Sequence, residues 1–599
     1  MTREHSPYRL AEELEHALGD PADARTPFSY AACLELDARE EFPAAVCRIL
    51  DDWGLPDYYV PVRHGGRLRD YEHALHLVRT VARRDLTVAV AHGKTYLGGV
   101  CVWVAGTAEQ AARLGSDIRA GVPVALALTE RAHGSDLLAG EVEAVPDTGH
   151  AAAGSPGFRL SGEKWLINNA TRGAVLSLLA RTDPAGGPRA FSVLLTDKRE
   201  LAPGSWRSLP KVSTHGIRGA DISGIALDGA RVPRSALVGP EGSGIETVLK
   251  ALQLTRTMCA ALSLGAADHG LRIALDFAWE RRLYGRRLAE LPQARRILAE
   301  AAADVLTHEA LALVASRMVH TATGELSVVA AVTKYLLPTG TEAVLDALAG
   351  LLGARAFLVA GQGVGAYGMF QKVERDHRIV GLFDGNTLVN LNSLILQFRS
   401  LVRHWRRGRT DTAGARAACD LAEPLQEFAP ERLSLVARHG SSLTAALPEW
   451  TAAVRAHADA DPALKGAAEA AERLLAVTER VHEEMAGFAD VVADVPEDAF
   501  DVARRYCLCC AGAACLGLWV QARTGSVEGL WRDGLWLRAA LDRLLERLGE
   551  PSAGDAYEEF LEEAFALREQ GRLFSLLRLD LAGSDDLAGS SDAREGGPR

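Results

Sequence analysis

Apolar side chains recur every three or four residues through much of the first 121 residues, as in YEHALHLVRTVARRD, and this spacing predicts amphipathic helices. From residue 122 to residue 238 the spacing changes. Short apolar runs such as KWLIN and AFSVLLT alternate with Gly, Pro and Asp, which is typical of strands joined by turns. The helical spacing returns after residue 238 and continues to about residue 581.

These blocks predict a mainly α chain with a central β domain. The expected order is an N-terminal helical domain (1–121), a small β-barrel or sandwich (122–238), a second helical domain (239–405) and an appended C-terminal helical domain (406–581). The last residues, 582–599, are rich in Gly, Ser and Asp, and we expect them to be disordered.

The composition favours a soluble protein of the cytoplasm. Hydrophobic residues are 48% and charged residues 24% of the 599, as in ordinary globular chains. A net charge of −12 argues against nucleic acid or an anionic membrane as a partner. No apolar run reaches the roughly 20 residues of a membrane span, and the charged N-terminus lacks the apolar core of an export signal.

The cysteines do not suggest a metal site. Their one cluster, Cys507, Cys509, Cys510 and Cys515, lies in an apolar helical stretch without a nearby His. This spacing fits neither a zinc site nor a CxxC redox pair, so buried thiols are expected and no metal is predicted.

A short polar island, Asp384 to Thr387, separates two apolar runs in RDHRIVGLFDGNTLVNLNSLI, and Gly385 marks a break there. One interpretation is a helix cap, since Asp384 or Asn386 can start the following helix. The other is that Asp384 is a catalytic base facing a pocket without water. These residues by themselves favour the cap.

The order of helices, strands and helices resembles the acyl-CoA dehydrogenase superfamily, and four motifs resemble it locally. ALTERAHGSD, residues 127–136, is similar to the family's ALTEPGAGSD, with Arg131 and His133 replacing the usual residues. The resemblance implies a four-helix bundle in residues 239–405 and a bound FAD. It assigns the backbone of Leu128 and the hydroxyl of Thr129 to the flavin ring, and Ser135 to phosphate and substrate.

The second motif, SGEKWLINNATRG, is similar to the family's GxKxWITNGxxAD. The resemblance puts Asn168 near the reactive flavin nitrogen, where it would donate a hydrogen bond, and Leu166 at the position of the Trp that shields the flavin. Trp165 comes one residue early, and such a shift turns a strand side chain to the opposite face. Either the shield is aliphatic, or a local bulge restores Trp165.

The third motif, WERRLYGRRLAELPQARRILAE, resembles a family segment that reaches the FAD of the neighbouring subunit. The resemblance assigns Arg281 to the pyrophosphate and Tyr284 to the adenosine, and it therefore implies a homodimer. Pro292 stands where the family has Gln, and Gln293 comes one residue late.

The fourth motif is the polar island itself, since VERDHRIVGLFDGNTLVN resembles the segment that carries the family's base. Asp384 stands at the position of the catalytic Glu, and Asn386 at that of a cofactor-contacting Thr. Some members carry the base directly before a characteristic Arg, here Arg256, which the resemblance assigns to substrate binding. Because Thr255 precedes Arg256 and an isolated loop His (His133 or His377) is usually structural, Asp384 is the expected base.

The resemblance thus implies an FAD-dependent acyl-CoA dehydrogenase that passes electrons to an electron-transfer flavoprotein or to oxygen. The thioester carrier is either CoA or an acyl carrier protein, and the C-terminal extension favours a dimer over a tetramer. The alternatives are a flavin oxidase of the nitroalkane oxidase or acyl-CoA oxidase type, a flavin monooxygenase, and a flavin-binding scaffold without turnover. The scaffold is kept because several positions depart from the family pattern: Leu166, Asn168, Pro292, Gly350 and Asp384.

Overall fold

The computed structural model describes residues 8–147, 157–359, 367–491, 494–522, 529–551 and 556–583, so the predicted disordered tail lies outside the described residues from position 584 onward. The chain divides into two compact units. Unit 1 contains Met1–Leu34, Asp70–Leu86 and Arg256–Arg599, and unit 2 contains Glu35–Arg69 and Thr87–Thr255. Each unit combines segments of more than one predicted domain, and the domain limits stay a prediction.

Helices dominate both ends of the chain. In chain order the described α-helices are α1 (Arg9–Leu18), α2 (Tyr30–Arg39), α3 (Ala44–Trp53), α4 (Tyr71–Arg84), α5 (Leu86–Ala105), α6 (Ala108–Arg119), α7 (Gly244–Glu280), α8 (Pro292–Thr321), α9 (Leu326–Leu352), α10 (Tyr367–His377), α11 (Thr387–Ile395), α12 (Phe398–Arg407), α13 (Ala413–Cys419), α14 (Ser442–Ala445), α15 (Leu447–Ala460), α16 (Lys465–Ala486), α17 (Glu497–Ala522), α18 (Leu535–Arg547) and α19 (Tyr557–Glu569).

Unit 2 is built on a mixed eight-stranded sheet. Its strands are β1 (Val124–Ala127), β2 (Glu143–Asp147), β3 (Gly157–Asn168), β4 (Val175–Arg181), β5 (Phe191–Asp197), β6 (Trp206–Leu209), β7 (Ile222–Val232) and β8 (Leu237–Val238). They follow the order β6-β7-β3-β2-β4-β5-β8, and β1 pairs in parallel with β4. Alternate side chains from these strands, among them Phe158, Leu160, Leu178 and Ile225, form a buried core.

Unit 1 is a helical body in which the C-terminal extension packs directly on the bundle. Helices α13, α17, α18 and α19 contact α8, and α17 also contacts α9 and α11. A two-stranded hairpin, β9 (Arg282–Leu283) and β10 (Arg286–Arg287), follows α7. The predicted class, mainly α with a central β domain and an appended helical extension, is confirmed.

Among the described residues, α17 is long and apolar enough to cross a membrane by length and composition, but 78% of its most apolar window is buried. A buried core helix passes the same test, and the packing of α17 in unit 1 matches that case. The cysteines predicted to be buried thiols lie on α17, and all nine cysteines of the chain are buried and unbridged.

A buried cluster of charges ties the extension to the bundle. The Arg79 guanidinium on α4 donates from Nε to Asp268 Oδ2 at 2.7 Å and from Nη1 to Glu309, and the side chains of all three residues are at most 3% exposed. Glu309 also accepts from the Ser575 hydroxyl and, at 2.7 Å, from the Leu576 amide. Burial by itself would lower the pKa of Arg79, but the two carboxylates more than offset burial and raise that pKa.

Removing Glu309 should therefore destabilise unit 1. Glu309→Ala leaves Arg79 with one carboxylate and the Leu576 amide without its acceptor, and losing one partner of a buried ion pair costs about 3–5 kcal/mol. We expect a lower urea midpoint and faster hydrogen exchange at the Leu576 amide.

The matched control is Asp501→Ala, which removes the solvent-exposed ion pair of Asp501 with Arg504. That change should cost less than about 1 kcal/mol. Equal midpoints for the two variants would show that the Arg79 cluster does not hold the extension.

Candidate active site

The polar island forms a sharp turn in unit 1. Asp384 has φ +55° and Gly385 has φ +93°, so two successive residues adopt the left-handed backbone conformation. Asp and Asn reach this conformation more readily than other residues with a side chain, and Gly reaches it without steric cost. Strained backbone of this kind concentrates at functional sites. The turn leaves the Asp384 side chain half-buried.

Two residues of α7 hold this turn. The Arg256 Nε donates to the Asp384 carbonyl at 2.8 Å, and the Cys259 thiol, one helical turn further on, lies 3.7 Å from Asp384 Oδ2. Burial lowers the pKa of Arg256, and the negative charge of Asp384 opposes that effect. Arg256 is 7% exposed. It thus supports the backbone of the predicted base, while its predicted contact with substrate stays a prediction.

Asn386, not Asp384, caps the following helix. The Asn386 Oδ1 accepts from the Val389 amide at 3.0 Å at the start of α11, and the Asn390 side chain donates to the carbonyls of Gly385 and Asn386 at 2.9 Å. Of the two candidate caps, Asn386 therefore performs this role, with its amide oxygen engaged. The Asp384 carboxylate lies beside the Cys259 thiol and does not cap α11, so the interpretation of Asp384 as a helix cap does not hold.

The two histidines that could compete as proton acceptors are engaged in other contacts. His377 is fully buried, its Nε2 lies 3.0 Å from the Ser263 hydroxyl, and burial lowers its pKa to about 3. The Nε2 of His133 in unit 2 lies 3.3 Å from Glu141.

In unit 2, hydrogen bonds join the first motif, residues 127–136, to the second motif, which contains Lys164 and Trp165. The Thr129 hydroxyl donates to the Trp165 carbonyl at 2.7 Å, and the Trp165 amide donates to the Thr129 carbonyl at 3.0 Å. The Lys164 ammonium donates to the Leu128 carbonyl and to Glu130, both at 2.8 Å, and this Lys–Glu pair is buried. The loop that carries Leu128 and Thr129 is therefore fixed in place, whereas Ser135 further along it is exposed.

The second motif contains a β-bulge at Leu166, the residue in the position of the family's shielding Trp. The pairing of β3 with β7 shifts register between Trp165 and Ile167, and Leu166 between them has φ +57°. Leu166 is 44% exposed in the structure. The half-buried Trp165 ring is covered by the guanidinium of Arg131, 4.6 Å from the ring centroid. Arg131, which replaces a family Pro, thus contacts the Trp that is out of register.

Asn168 has one engaged and one unpartnered polar group. Its Nδ2 donates to the Val90 carbonyl at 3.2 Å, whereas its buried Oδ1 has no hydrogen-bond partner among the described residues. A buried acceptor without a hydrogen-bond partner lowers the stability of a folded protein. The open position of Asn168 therefore suits a hydrogen-bond donor, whereas the resemblance implied that Asn168 itself donates, and its contact with the flavin stays a prediction.

Arg281 connects α7 to the following hairpin, and Tyr284 lies at the tip of that hairpin. Tyr284 and Gly285 form its two-residue turn with φ +53° and +79°, the geometry that favours a Gly in the second place. The Tyr284 side chain is 96% exposed, an unusual state for a large aromatic group. Pro292, where the family has Gln, is the first residue of α8, a favourable position for Pro.

Sequence reasoning missed three features of these sites. It did not identify Cys259 as a neighbour of Asp384, the engagement of Trp165 by Arg131, or the support of the Asp384 carbonyl by Arg256. The replacement of the family's Pro at position 131 and of its Trp at position 166 could have indicated the contact of Arg131 with Trp165. For Cys259, which is 125 residues from Asp384 in the chain, the sequence contained no signal.

Three sequence models match consecutive parts of the chain and together cover more than half of it. They are the acyl-CoA dehydrogenase N-terminal domain at residues 29–121, the middle domain at 125–230 and the C-terminal domain at 242–396. A probable acyl-CoA dehydrogenase of Mycobacterium leprae is 24% identical over 371 residues, which are 62% of this chain and 90% of the relative.

Two solved structures share the fold. An acyl-CoA dehydrogenase of Bacillus anthracis, solved in complex with FAD, has a TM-score of 0.64 at 17% identity and covers 95% of this chain and 92% of its own. The alignment with it therefore includes most of the C-terminal extension. The prolyl acyl carrier protein oxidase AnaB has a TM-score of 0.57 at 16% identity, with 64% of this chain and 96% of its own covered.

Mutation can distinguish the structural roles of Asp384 and Asn386. Asn386→Ala removes the cap of α11 and should lower the free energy of unfolding by about 1 kcal/mol. Asp384→Asn should leave stability nearly unchanged, because Asn also tolerates the left-handed backbone and the Arg256 contact is to the carbonyl. Thermal unfolding midpoints measure both effects. A larger loss for Asp384→Asn than for Asn386→Ala would contradict the assignment of the cap.

Proposed function

The chain belongs to the acyl-CoA dehydrogenase family, and we propose that it is an FAD-dependent dehydrogenase that desaturates an acyl thioester between its α and β carbons with Asp384 as the base. The observation that carries the proposal is the turn at Asp384. The residue at the family's base position is a carboxylate held in a left-handed conformation by Arg256 and Cys259, while the neighbouring Asn386 performs the capping.

The residues present in unit 2 fit a bound FAD. The FAD supplies the acceptor for hydride from the β-carbon when it is bound. In unit 2, the unpartnered Oδ1 of Asn168 offers a hydrogen-bond acceptor to the flavin ring, and the loop of Leu128 and Thr129 is fixed by its contacts with Lys164 and Trp165. Leu166 is exposed and Trp165 is engaged by Arg131, so we propose that the flavin is covered by the aliphatic side chain.

The chemistry requires a positioned base and a stabilised enolate. An α-proton is a very weak acid, so the developing negative charge on the thioester carbonyl needs hydrogen-bond donors aimed at it. We assign one donor to the backbone N–H of Asp384 and the proton transfer to its carboxylate. The left-handed turn also gives a reason for Asp in place of the longer Glu, since a short polar side chain is the type that tolerates this backbone.

The exposed hairpin supports a dimer that shares FAD. A large aromatic side chain that is 96% exposed at the tip of a tight turn is expected to be covered by another molecule. We propose that Tyr284 and Arg281 contact the adenosine and pyrophosphate of the FAD bound to the partner subunit. A planar guanidinium suits the pyrophosphate because it can donate two parallel hydrogen bonds.

The decisive experiment is anaerobic mixing of the holoenzyme with octanoyl-CoA while the flavin absorbance is followed. Bleaching of the oxidised flavin supports the dehydrogenase. Bleaching by a nitroalkane alone would assign the chain to the nitroalkane oxidase type, and no bleaching by either substrate would favour a scaffold without turnover.

Asp384→Asn should slow this reduction strongly while FAD stays bound. Asn keeps the size and the backbone preference of Asp but cannot accept the proton, and a general base contributes about 10²–10⁴-fold to a rate. The rate constant of flavin reduction should fall by at least about 10²-fold. The control Asp346→Asn, at an exposed site on α9, should leave the rate unchanged. Near-normal reduction in Asp384→Asn would rule out this mechanism.

Arg281→Ala should lose FAD, because the pyrophosphate would lose its guanidinium partner. The matched control is Arg286→Ala on the following hairpin, whose side chain is exposed and donates to the Glu290 carbonyl at 2.7 Å. FAD content after desalting, measured by absorbance, gives the result, and sedimentation gives the oligomeric state. Full FAD retention in Arg281→Ala would show that the assignment is misplaced.

A further inference from the structure

Helix α12 presents a stripe of arginines to solvent. Arg399, Arg403, Arg406 and Arg407 are spaced at i, i+4, i+7 and i+8, which places them on one helical face, and all four are exposed. The opposite face buries Phe398, Leu401 and Val402 in unit 1.

The following segment adds to this face. The Ser400 hydroxyl donates to the Ala437 carbonyl at 2.8 Å, and the Ala437 amide donates to Gln397 Oε1 at 2.9 Å, so residues 435–439 lie against α12. Arg438 is exposed there, beside the exposed aliphatic side chains of Leu435 and Val436. We define the α12 surface as the exposed side chains Arg399, Arg403, Arg406, Arg407, Arg409, Leu435, Val436 and Arg438.

These arginines are not neutralised within the described part of the chain. Arg399 lies 3.8 Å from Asp490, with both side chains mostly exposed, and such a pair contributes little. The other arginines of the surface make no ion pair with a described residue. By contrast, Arg295 elsewhere in unit 1 contacts both Glu558 and Glu562. The C-terminal end of α12 favours the basic side chains of its last turn, Arg406 and Arg407, but it gives no reason for Arg399 and Arg403. These two are neighbouring like charges, which destabilise a helix slightly.

We propose that the α12 surface docks an acidic acyl carrier protein, which delivers the acyl group as a thioester on its flexible phosphopantetheine arm. This inference rests on the proposed function, and it specifies the substrate class of the same site. A basic patch on a chain of net charge −12 attracts an acidic protein locally, whereas the whole chain repels extended polyanions. Leu435 and Val436 add the apolar contact that protein interfaces use.

The α12 surface and Asp384 belong to the same compact unit. The cap of α11 is two residues after Asp384, and α11 is 9 residues long, or about 14 Å at the usual helical rise. Helix α12 begins three residues after α11 ends. The surface and the proposed base therefore lie in the same unit and are separated in the chain by α11.

The test compares the wild-type holoenzyme with the triple variant Arg403→Glu, Arg406→Glu, Arg407→Glu. The octanoyl group is supplied either on CoA or on a purified acidic bacterial acyl carrier protein, and flavin reduction is followed anaerobically. The triple variant should raise the half-saturating concentration of the carrier-bound substrate about tenfold or more, because charge complementarity sets the encounter rate. Its limiting reduction rate and its response to octanoyl-CoA should remain within about twofold of the wild type, since the proposed base is untouched.

The matched control reverses three other exposed arginines of the extension, Arg455→Glu, Arg480→Glu and Arg504→Glu, for the same change in net charge. It should behave as the wild type with both substrates. An equal response of wild type and triple variant to the carrier-bound substrate would overturn the inference. So would flavin reduction of the wild type by octanoyl-CoA but not by the carrier-bound group.

A binding measurement separates failure of this inference from failure of the proposed function. If neither substrate bleaches the flavin, the dehydrogenase fails, and fluorescence anisotropy of the labelled carrier protein with the holoenzyme still tests the surface. Binding that the triple variant loses supports docking, and absent binding to the wild type overturns it. Binding of phosphatidylglycerol vesicles or duplex DNA in place of the carrier, or conversion of a dimer to monomers in the triple variant, would also overturn it.

Discussion

The buried guanidinium of Arg79 sets a constraint on which the rest of unit 1 depends. A charge removed from water must be paired, and Arg79 is satisfied only if α4, α7 and α8 bring it against Asp268 and Glu309. The same helix α4 buries Glu72, which contacts Arg317 of α8, and Arg83, which contacts Glu15 of α1. Helix α4 is therefore a central element of unit 1, held by charges as much as by apolar packing.

These charges also make the C-terminal extension part of the fold. Glu309 uses its remaining capacity to accept from Ser575 and Leu576, and Arg317 donates to the carbonyls of Ala418 and Asp420. The carboxylate of Glu309 therefore accepts from a backbone amide of the extension, and the guanidinium of Arg317 donates to backbone carbonyls of the extension. Removing the extension would leave the buried charges of Glu309 and Arg317 with fewer hydrogen-bond partners, which costs free energy beyond the exposure of an apolar face.

The candidate site shows the same dependence on long-range contacts at a smaller scale. Asp384 adopts a left-handed conformation that its local sequence permits, and Arg256 and Cys259 of α7 hold it there. In unit 2, Arg131 covers Trp165 while the bulged Leu166 remains exposed. Two of the departures from the family sequence, Arg131 and Asp384, are thus accompanied by contacts that accommodate them.

The sequence determined the helical and β-rich segments, because periodicity and turn chemistry act over a few residues, and its motifs determined the family and the candidate positions. It could not decide between Asp384 and Asn386 as the cap, since both residue types cap well and the backbone path selects one. The bulge at Leu166, the contact of Cys259 with Asp384 and the central place of α4 required the tertiary structure. They depend on packing between segments far apart in the chain, which local preferences do not specify.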